Sequence, residues 1–206
     1  MNKNFRLTLG AALLALAAPG LAQLAVAPTG TLRVLGDSSL HKWSLATSAA
    51  SMTFVLDAGA PASVADAIKA SKVKSMEVRI KVATLKSGEK GLDKNMRIAM
   101  SAEKYPEVTY KLAHYELGKP SEAGVLVAKT TGDLTIAGET KTVTMDVQFD
   151  LGAGKAEAKG SYALNMSDYG IKPPTLMLGT IKVRDPVTVR FDLLLTPANS
   201  TAKAGK

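Results

Sequence analysis

The sequence predicts an all-β protein, an antiparallel β-barrel of about eight strands with two short helices. Three observations predict it: long stretches of strict apolar/polar alternation, short glycine-bearing connections between them, and only two segments with helical spacing.

The first element precedes the fold. Lys3 and Arg6 lead an uncharged, Leu- and Ala-rich run from Leu7 to Ala18 that is too short to span a bilayer. Gly20-Leu21-Ala22 supplies the small residues a signal peptidase requires, which predicts cleavage before Gln23 and export to the periplasm. Ala25-Val26-Ala27 is a second candidate, disfavoured because Pro28 would follow the scissile bond. The chain thus divides into a signal peptide over 1–22, a barrel domain over 23–197 and a disordered polar tail over 198–206. There is no Cys, so stability rests on burial, which a single domain of this length can supply. Without Lys3 and Arg6 the formal charge falls from +8 to +6. Lys residues are dispersed among Asp and Glu with no long basic run, the pattern of solvated charge and not of a nucleic-acid surface.

Strands are then read in order at Leu32 to Gly36, Met52 to Leu56, Lys74 to Ala83, Val108 to Leu117, Val125 to Ile136, Thr142 to Leu151, Ala156 to Met166 and from Lys182 onward. The clearest alternation sets Val143, Met145, Val147, Phe149 and Leu151 against Thr142, Thr144, Asp146, Gln148 and Asp150. Met76, Val78, Ile80 and Val82 do the same, as do Val183, Val187, Val189, Phe191, Leu193 and Leu195. Pro186 falls in the polar set of the last strand and predicts an edge or a bulge. Ala137-Gly138-Glu139-Thr140 and Gly152-Ala153-Gly154-Lys155 are hairpin turns, so the second half reads as a meander. Helical spacing appears at Pro61 to Ala70, with Val64, Ala67 and Ile68 on one side, and at Leu92 to Ala102, with Leu92, Met96, Ala99 and Met100 on one face.

Period alone does not separate a closed barrel from a two-sheet sandwich. The inward set Ala156, Ala158 and Gly160 beside bulky Tyr162, Leu164 and Met166 suits a tapering barrel with room at one end. A transmembrane barrel is excluded by the Lys, Glu, Arg and Asp on the face opposite the apolar set.

The catalytic motifs of common enzymes are missing from the sequence. There is no thiol, the two His residues are far apart without a carboxylate at metal spacing, and no nucleophile elbow, zinc-helix motif or phosphate loop occurs. Neither a cofactor nor a metal is implied, and the protein is read as a binder. A constellation assembled across strands from Ser38, His41 and Asp168 is the remaining catalytic alternative. Structural roles are simplest for the glycines: close backbone approach at Gly132 and a positive φ at Gly138. Thr140 and Lys141 are expected to face water, and Asp168 to cap a turn at Gly170. Alternation puts Ser39, His41 and Trp43 on one side of a strand, with Trp43 packed and His41 either bonding a buried carbonyl or touching a ligand.

The apolar set is unusually soft. Met52, Met76, Met96, Met100, Met145 and Met166 all fall on inward faces, and Met adapts to irregular apolar partners. A ligand chain is therefore expected along Met76, Ile80, Tyr110, Leu112, Met145, Phe149, Tyr162 and Met166, under a lid bearing Met96 and Met100. Its polar end is expected at the rim near His41, Trp43 or Tyr169.

Gly132-Asp133-Leu134-Thr135-Ile136-Ala137-Gly138-Glu139-Thr140-Lys141-Thr142-Val143 resembles the G-x-L-T-I-x-G-x-T-K-x-V segment of the YceI-like family. Ser38-Ser39-Leu40-His41-Lys42-Trp43 is similar to that family's S-T-x-H-x-W stretch, and Tyr105-Pro106-Glu107-Val108-Thr109-Tyr110 to its Y-P-x-I-x-F strand entry. Ser167-Asp168-Tyr169-Gly170-Ile171 resembles its S-D-F-G-I turn, followed by Val183-Arg184-Asp185-Pro186-Val187 in place of V-x-D-x-V. The resemblance spans Leu32 to Leu195 and implies a lipocalin-like barrel that binds a polyisoprenoid or related amphiphile, here an isoprenoid lipid or quinone, for transport or storage with transient membrane contact. It departs at Met166, where many members carry Arg, and at Pro173-Pro174 in a longer connection. It therefore implies the ligand class and not a diphosphate head group. Two alternatives stand beside it: a secreted interaction module with a solid core, and a hydrolase or isomerase acting on an amphiphile.

Overall fold

The computed structural model describes residues 22–121, 124–152, 155–176 and 180–197. Residues 1–21, which hold most of the expected signal segment, the turn residues 153 and 154 and the polar residues 198–206 lie outside them. Ten strands share one hydrogen-bonded network: β1 (Ala22–Ser38), β2 (Trp43–Thr47), β3 (Ala50–Leu56), β4 (Val73–Lys81), β5 (Glu107–Leu117), β6 (Val125–Ile136), β7 (Glu139–Asp150), β8 (Glu157–Asn165), β9 (Thr175–Leu176) and β10 (Ile181–Pro197). β1 pairs with β3 along Ala22 to Val26 and with β2 along Leu32 to Gly36, so β2 and β3 are successive segments of one wall position. β9 is a two-residue ribbon on Ile181 and Lys182. All neighbours are antiparallel, and β10 pairs back onto β1 from Val26↔Pro197 to Ser38↔Val183. The sheet closes on itself with eight wall positions, which decides for a barrel over a sandwich.

Alternation builds the wall as expected. On β7, Val143 and Val147 are buried, Met145 and Phe149 half-buried, and the residues between them exposed. The outer face is polar and carries ion pairs along and across strands: Arg79 meets Glu77 on its own strand at 2.9 Å and Glu107 on the next at 3.2 Å, and Lys159 meets Asp192 across the β8–β10 pair at 3.3 Å. Ala137 and Gly138 connect β6 to β7 with φ of 50° and 87°, the two positive values a mirror-image hairpin turn demands. Thr140 and Lys141 beyond it are exposed.

Three irregularities change the register, one of them between Val55 and Leu56 where β3 meets β4. Opposite Pro186 the β1–β10 pairing jumps from Gly36↔Val187 to Ser38↔Val183, the bulge expected there. In β5 a bulge between Leu112 and His114 shifts the phase, so Val108, Tyr110 and Leu112 point inward and then Tyr115 and Leu117 do. Gly132 lies opposite this bulge because a Cβ there would collide with the Lys111 carbonyl and come within 2.8 Å of the Tyr110 ring.

Each helix serves one end of the barrel. α1 (Val64–Lys69) joins β3 to β4, starts on Ser63, whose hydroxyl accepts from the Asp66 amide, and buries Val64, Ala65, Ala67 and Ile68. These side chains merge with Val26, Leu56, Leu151, Ala156 and Leu195 into a core that closes that end. α2 (Lys90–Ala99) joins β4 to β5 across the opposite end. Along β8 and its two ends, Ala158 lines the interior space together with Tyr162, Leu164 and Met166, while Ala156 packs in the α1 core and the Phe191 ring occupies the space over Gly160.

Candidate functional site

The barrel interior holds a cavity of about 280 Å³ that runs from Ile68, Val73 and Leu195 at the α1 end to Ile171, Pro174 and Val183 beyond the strands at the other. An apolar cavity of about 150 Å³ already takes up a small hydrocarbon, so this one has room for more than packing error. A solid core is thereby excluded. The sequence-predicted residues Trp43, Met76, Ile80, Met96, Met100, Tyr110, Leu112, Met145, Phe149, Tyr162 and Met166 all line it. Strand alternation aims the wall residues, while α2 turns Leu92, Met96, Ala99 and Met100 inward from one face.

His41 and Tyr169 do not line the cavity. The hydroxyl of Ser38 accepts from the amides of Leu40 (3.2 Å) and His41 (3.1 Å) and donates to the His41 carbonyl (2.8 Å). That local wrap replaces the ladder, so residues 39–42 form a bend and loop and not a strand. His41 is exposed, with Nδ1 2.9 Å from the Lys42 carbonyl; the expected shared face of Ser39, His41 and Trp43 does not form. Trp43, at the start of β2, lies over Gly36 and donates its indole N–H to the Asp37 carbonyl at 3.2 Å. Tyr169 is 2% exposed and packs behind the lining with Ile136 and Ile171, where burial raises its hydroxyl to about 12.

The turn that carries Tyr169 is held by an acid other than the one expected. Asp185 of β10 accepts from the Ser167 amide at 2.8 Å and from its hydroxyl, and these bonds, the hydroxyl's foremost, keep the carboxyl below the usual range. Asp168 accepts from Asn165 at 3.3 Å, while Gly170 takes the left-handed turn at φ 67°. Ser38, His41 and Asp168 thus each bond elsewhere, and no hydrogen bond joins their side chains among the described residues.

Polar atoms facing the cavity are few. Thr130 donates to the Met145 carbonyl at 3.0 Å, and the Tyr110 hydroxyl is out of contact with water and raised by burial. Asn95, on α2, is the amide at the mouth. The sequence reading missed Asn95 and Thr130, together with Leu45, Leu134 and Phe191 as lining residues. Thr130 was legible as an inward position, since Leu126, Ala128 and Leu134 share its phase; Asn95 was not, because one polar residue beside a helical stripe carries no signal. α2 itself is pinned at its start by Asp93, which accepts from the Ser87 amide (2.8 Å) and hydroxyl (2.7 Å) and is held below its ordinary pKa by these two bonds, the amide's first.

A closed, antiparallel, eight-position barrel around an apolar cavity defines the class: a lipocalin-like barrel that encloses space. Residues 39–195 match the YceI-like domain, and the chain belongs to the YceI-like family. A UPF0312 protein of Pseudomonas putida strain W619 is 36% identical over 115 residues, 52% of this chain and 55% of that protein. One of Pseudomonas savastanoi pv. phaseolicola is 32% identical over 131 residues, 59% and 60% of the two chains, so the matches span little more than half the length of these relatives. Among solved structures, Burkholderia cenocepacia BcnA superposes with a TM-score of 0.63 at 19% identity, over 81% of this chain and 96% of that one. A polyisoprenoid binding domain from Saccharophagus degradans gives 0.62 at 12% identity, over 86% and 99%. At such identities the two structures corroborate the fold.

Proposed function

We propose that the protein is exported to the periplasm and holds one long apolar molecule, an isoprenoid lipid or quinone, in its interior, as a carrier or store. The observation that carries this reading is the apolar cavity of about 280 Å³. At about 24 cal/mol per Å³, such a void left empty costs about 7 kcal/mol, a large share of a domain's whole stability, and an apolar occupant offsets that cost. The S. degradans neighbour described as polyisoprenoid-binding supports the ligand class.

Gain over the membrane is small, because lipid tails are as apolar as a Met- and Leu-lined pocket. Preference therefore rests on packing and on polar contacts, which Asn95 supplies at the mouth and Tyr110 and Thr130 supply in the wall. Met166 at the mouth brings no cation, in keeping with a quinone or neutral isoprenoid head group and not a diphosphate. Chain-length selectivity is loose for the same reason. Loading and release bring the barrel into transient contact with a membrane.

Trp43 lines the cavity and is the sole tryptophan, so a quinone entering the barrel quenches the whole indole signal. Titration with ubiquinones of several chain lengths is expected to give saturable quenching at one ligand per chain. Unquenched emission at saturating quinone contradicts the proposal.

A further inference from the structure

The two ends of the barrel differ in a way that assigns one of them a partner. At the α1 end, the strand ends and the helix form a buried core. Over the other end, α2 turns its apolar face to the cavity yet leaves Leu92, Ala99 and Met100 half-exposed, and its backbone makes no hydrogen bond to a strand among the described residues. An apolar ligand therefore enters and leaves past α2.

Two of the three large hydrophobic side chains most exposed among the described residues stand at that same end. Leu40, in the β1–β2 connection, is 66% exposed, and Ile98, on the outer face of α2, is 65% exposed; the third, Val127, is on β6 near the α1 end. Ile98 continues the outer stripe of Lys90 and Lys94 at four-residue intervals, with Arg97 beside it, opposite the inward Leu92 and Met96. Lys42 is two residues beyond Leu40 in the same connection. None of these four cations is ion-paired among the described residues.

Several carboxylates at this end already hold other partners. Asp93 is buried on Ser87, Asp185 holds Ser167, Asp168 accepts from Asn165 and Asp37 faces Arg184 at 3.4 Å. Glu89, Glu103 and Glu139 are exposed and form no ion pair among the described residues. An outward face of apolar side chains set among cations outside any ion pair is the composition that lies in an anionic membrane interface.

We propose that the α2 end is a docking surface for a leaflet rich in anionic phospholipid, with Ile98 and Leu40 entering the interface and Lys42, Lys90, Lys94 and Arg97 lying over the head groups. This rests on the carrier reading: docking by the mouth lets the ligand pass from lipid tails to the cavity without crossing water. The same contact presses on the lid helix through Ile98, next to the residues that cover the cavity.

The test is flotation of the purified full chain with vesicles of phosphatidylglycerol and phosphatidylcholine, and with phosphatidylcholine alone. Wild type is expected to float with the anionic vesicles, to be released by high salt, and to ignore the neutral ones. The pair Leu40→Ser and Ile98→Ser is expected to bind about tenfold more weakly, the factor that about 1.4 kcal/mol of lost burial produces. Val127→Ser binds as wild type does. Trp43 quenching by quinone added from ethanol is expected to be unchanged in the pair, which shows the barrel intact and separates docking from ligand binding. Failure of wild type to float, equal binding by the pair, or equal weakening by Val127→Ser overturns the proposal. If wild type fails to float while quinone still quenches Trp43, docking falls and the carrier reading stands. Normal docking without quenching would keep the surface and remove the carrier.

Discussion

Emptying the barrel is expected to cost much of its thermal stability. At about 24 cal/mol per Å³, a vacated cavity of about 280 Å³ corresponds to about 7 kcal/mol. Met76, Met96, Met100, Met145 and Met166 can relax inward and recover part of the lost contact, so the figure is an upper bound. For a domain of this size each kcal/mol moves Tm by about 2–4 °C, which puts the ceiling at about 14–28 °C. The assay is scanning calorimetry of the protein as purified from its host, after extraction with organic solvent, and after refilling with quinone. Leu112→Trp, which places an indole in the cavity, is expected to raise Tm of the stripped protein and to shrink the gain on refilling. If stripped and refilled samples melt within about 2 °C of each other, the idea that the cavity is an occupied site fails.

Three further outcomes follow from named contacts. Val147 is 7% exposed among apolar side chains, so Val147→Glu is expected to cost several kcal/mol and prevent folding, while Gln148→Glu, outward and opposite Lys159, is expected to be silent or slightly stabilising; equal Tm values would refute the register. Asp185 is held below the ordinary carboxylate range by Ser167, so its stabilisation is present above about pH 4 and is lost as pH falls through the folded pKa. Asp185→Asn is thus expected to lower Tm at neutral pH by a margin that shrinks in acid, and a margin independent of pH would contradict the assignment. N-terminal sequencing of the exported chain is expected to begin at Gln23; cleavage after Ala27 would instead remove Val26, 3% exposed, and the pairing of β1 with β3.

The wall was legible because burial on one face of a strand imposes a period of two that survives in the sequence. Val143 to Leu151 and Met76 to Val82 carry it without interruption, and their side chains line the cavity or pack in the core as read. β2 escaped because its inward set ends on Thr47 and its outward set includes Ala46, which blurs the alternation, and the first ten residues of β1 because Pro28 and Gly30 break theirs. At His41 a single hydroxyl, that of Ser38, outcompeted the ladder, an outcome alternation does not encode. The motif residues proved to be joints: Tyr105 lies against Gly138, where a Cβ would come within 2.5 Å of its ring, and Ser167 bonds Asp185. Barrel closure was beyond reach from period, since only the pairing of β1 with β10 distinguishes it from a sandwich.

Native mass spectrometry of the protein taken directly from its host tests the central claim most directly. The account predicts one noncovalent adduct per chain with the mass of an isoprenoid lipid or quinone, lost on organic extraction and restored by added quinone of several chain lengths. A ligand-free mass that also stays unchanged when quinone or prenyl lipid is added would contradict it.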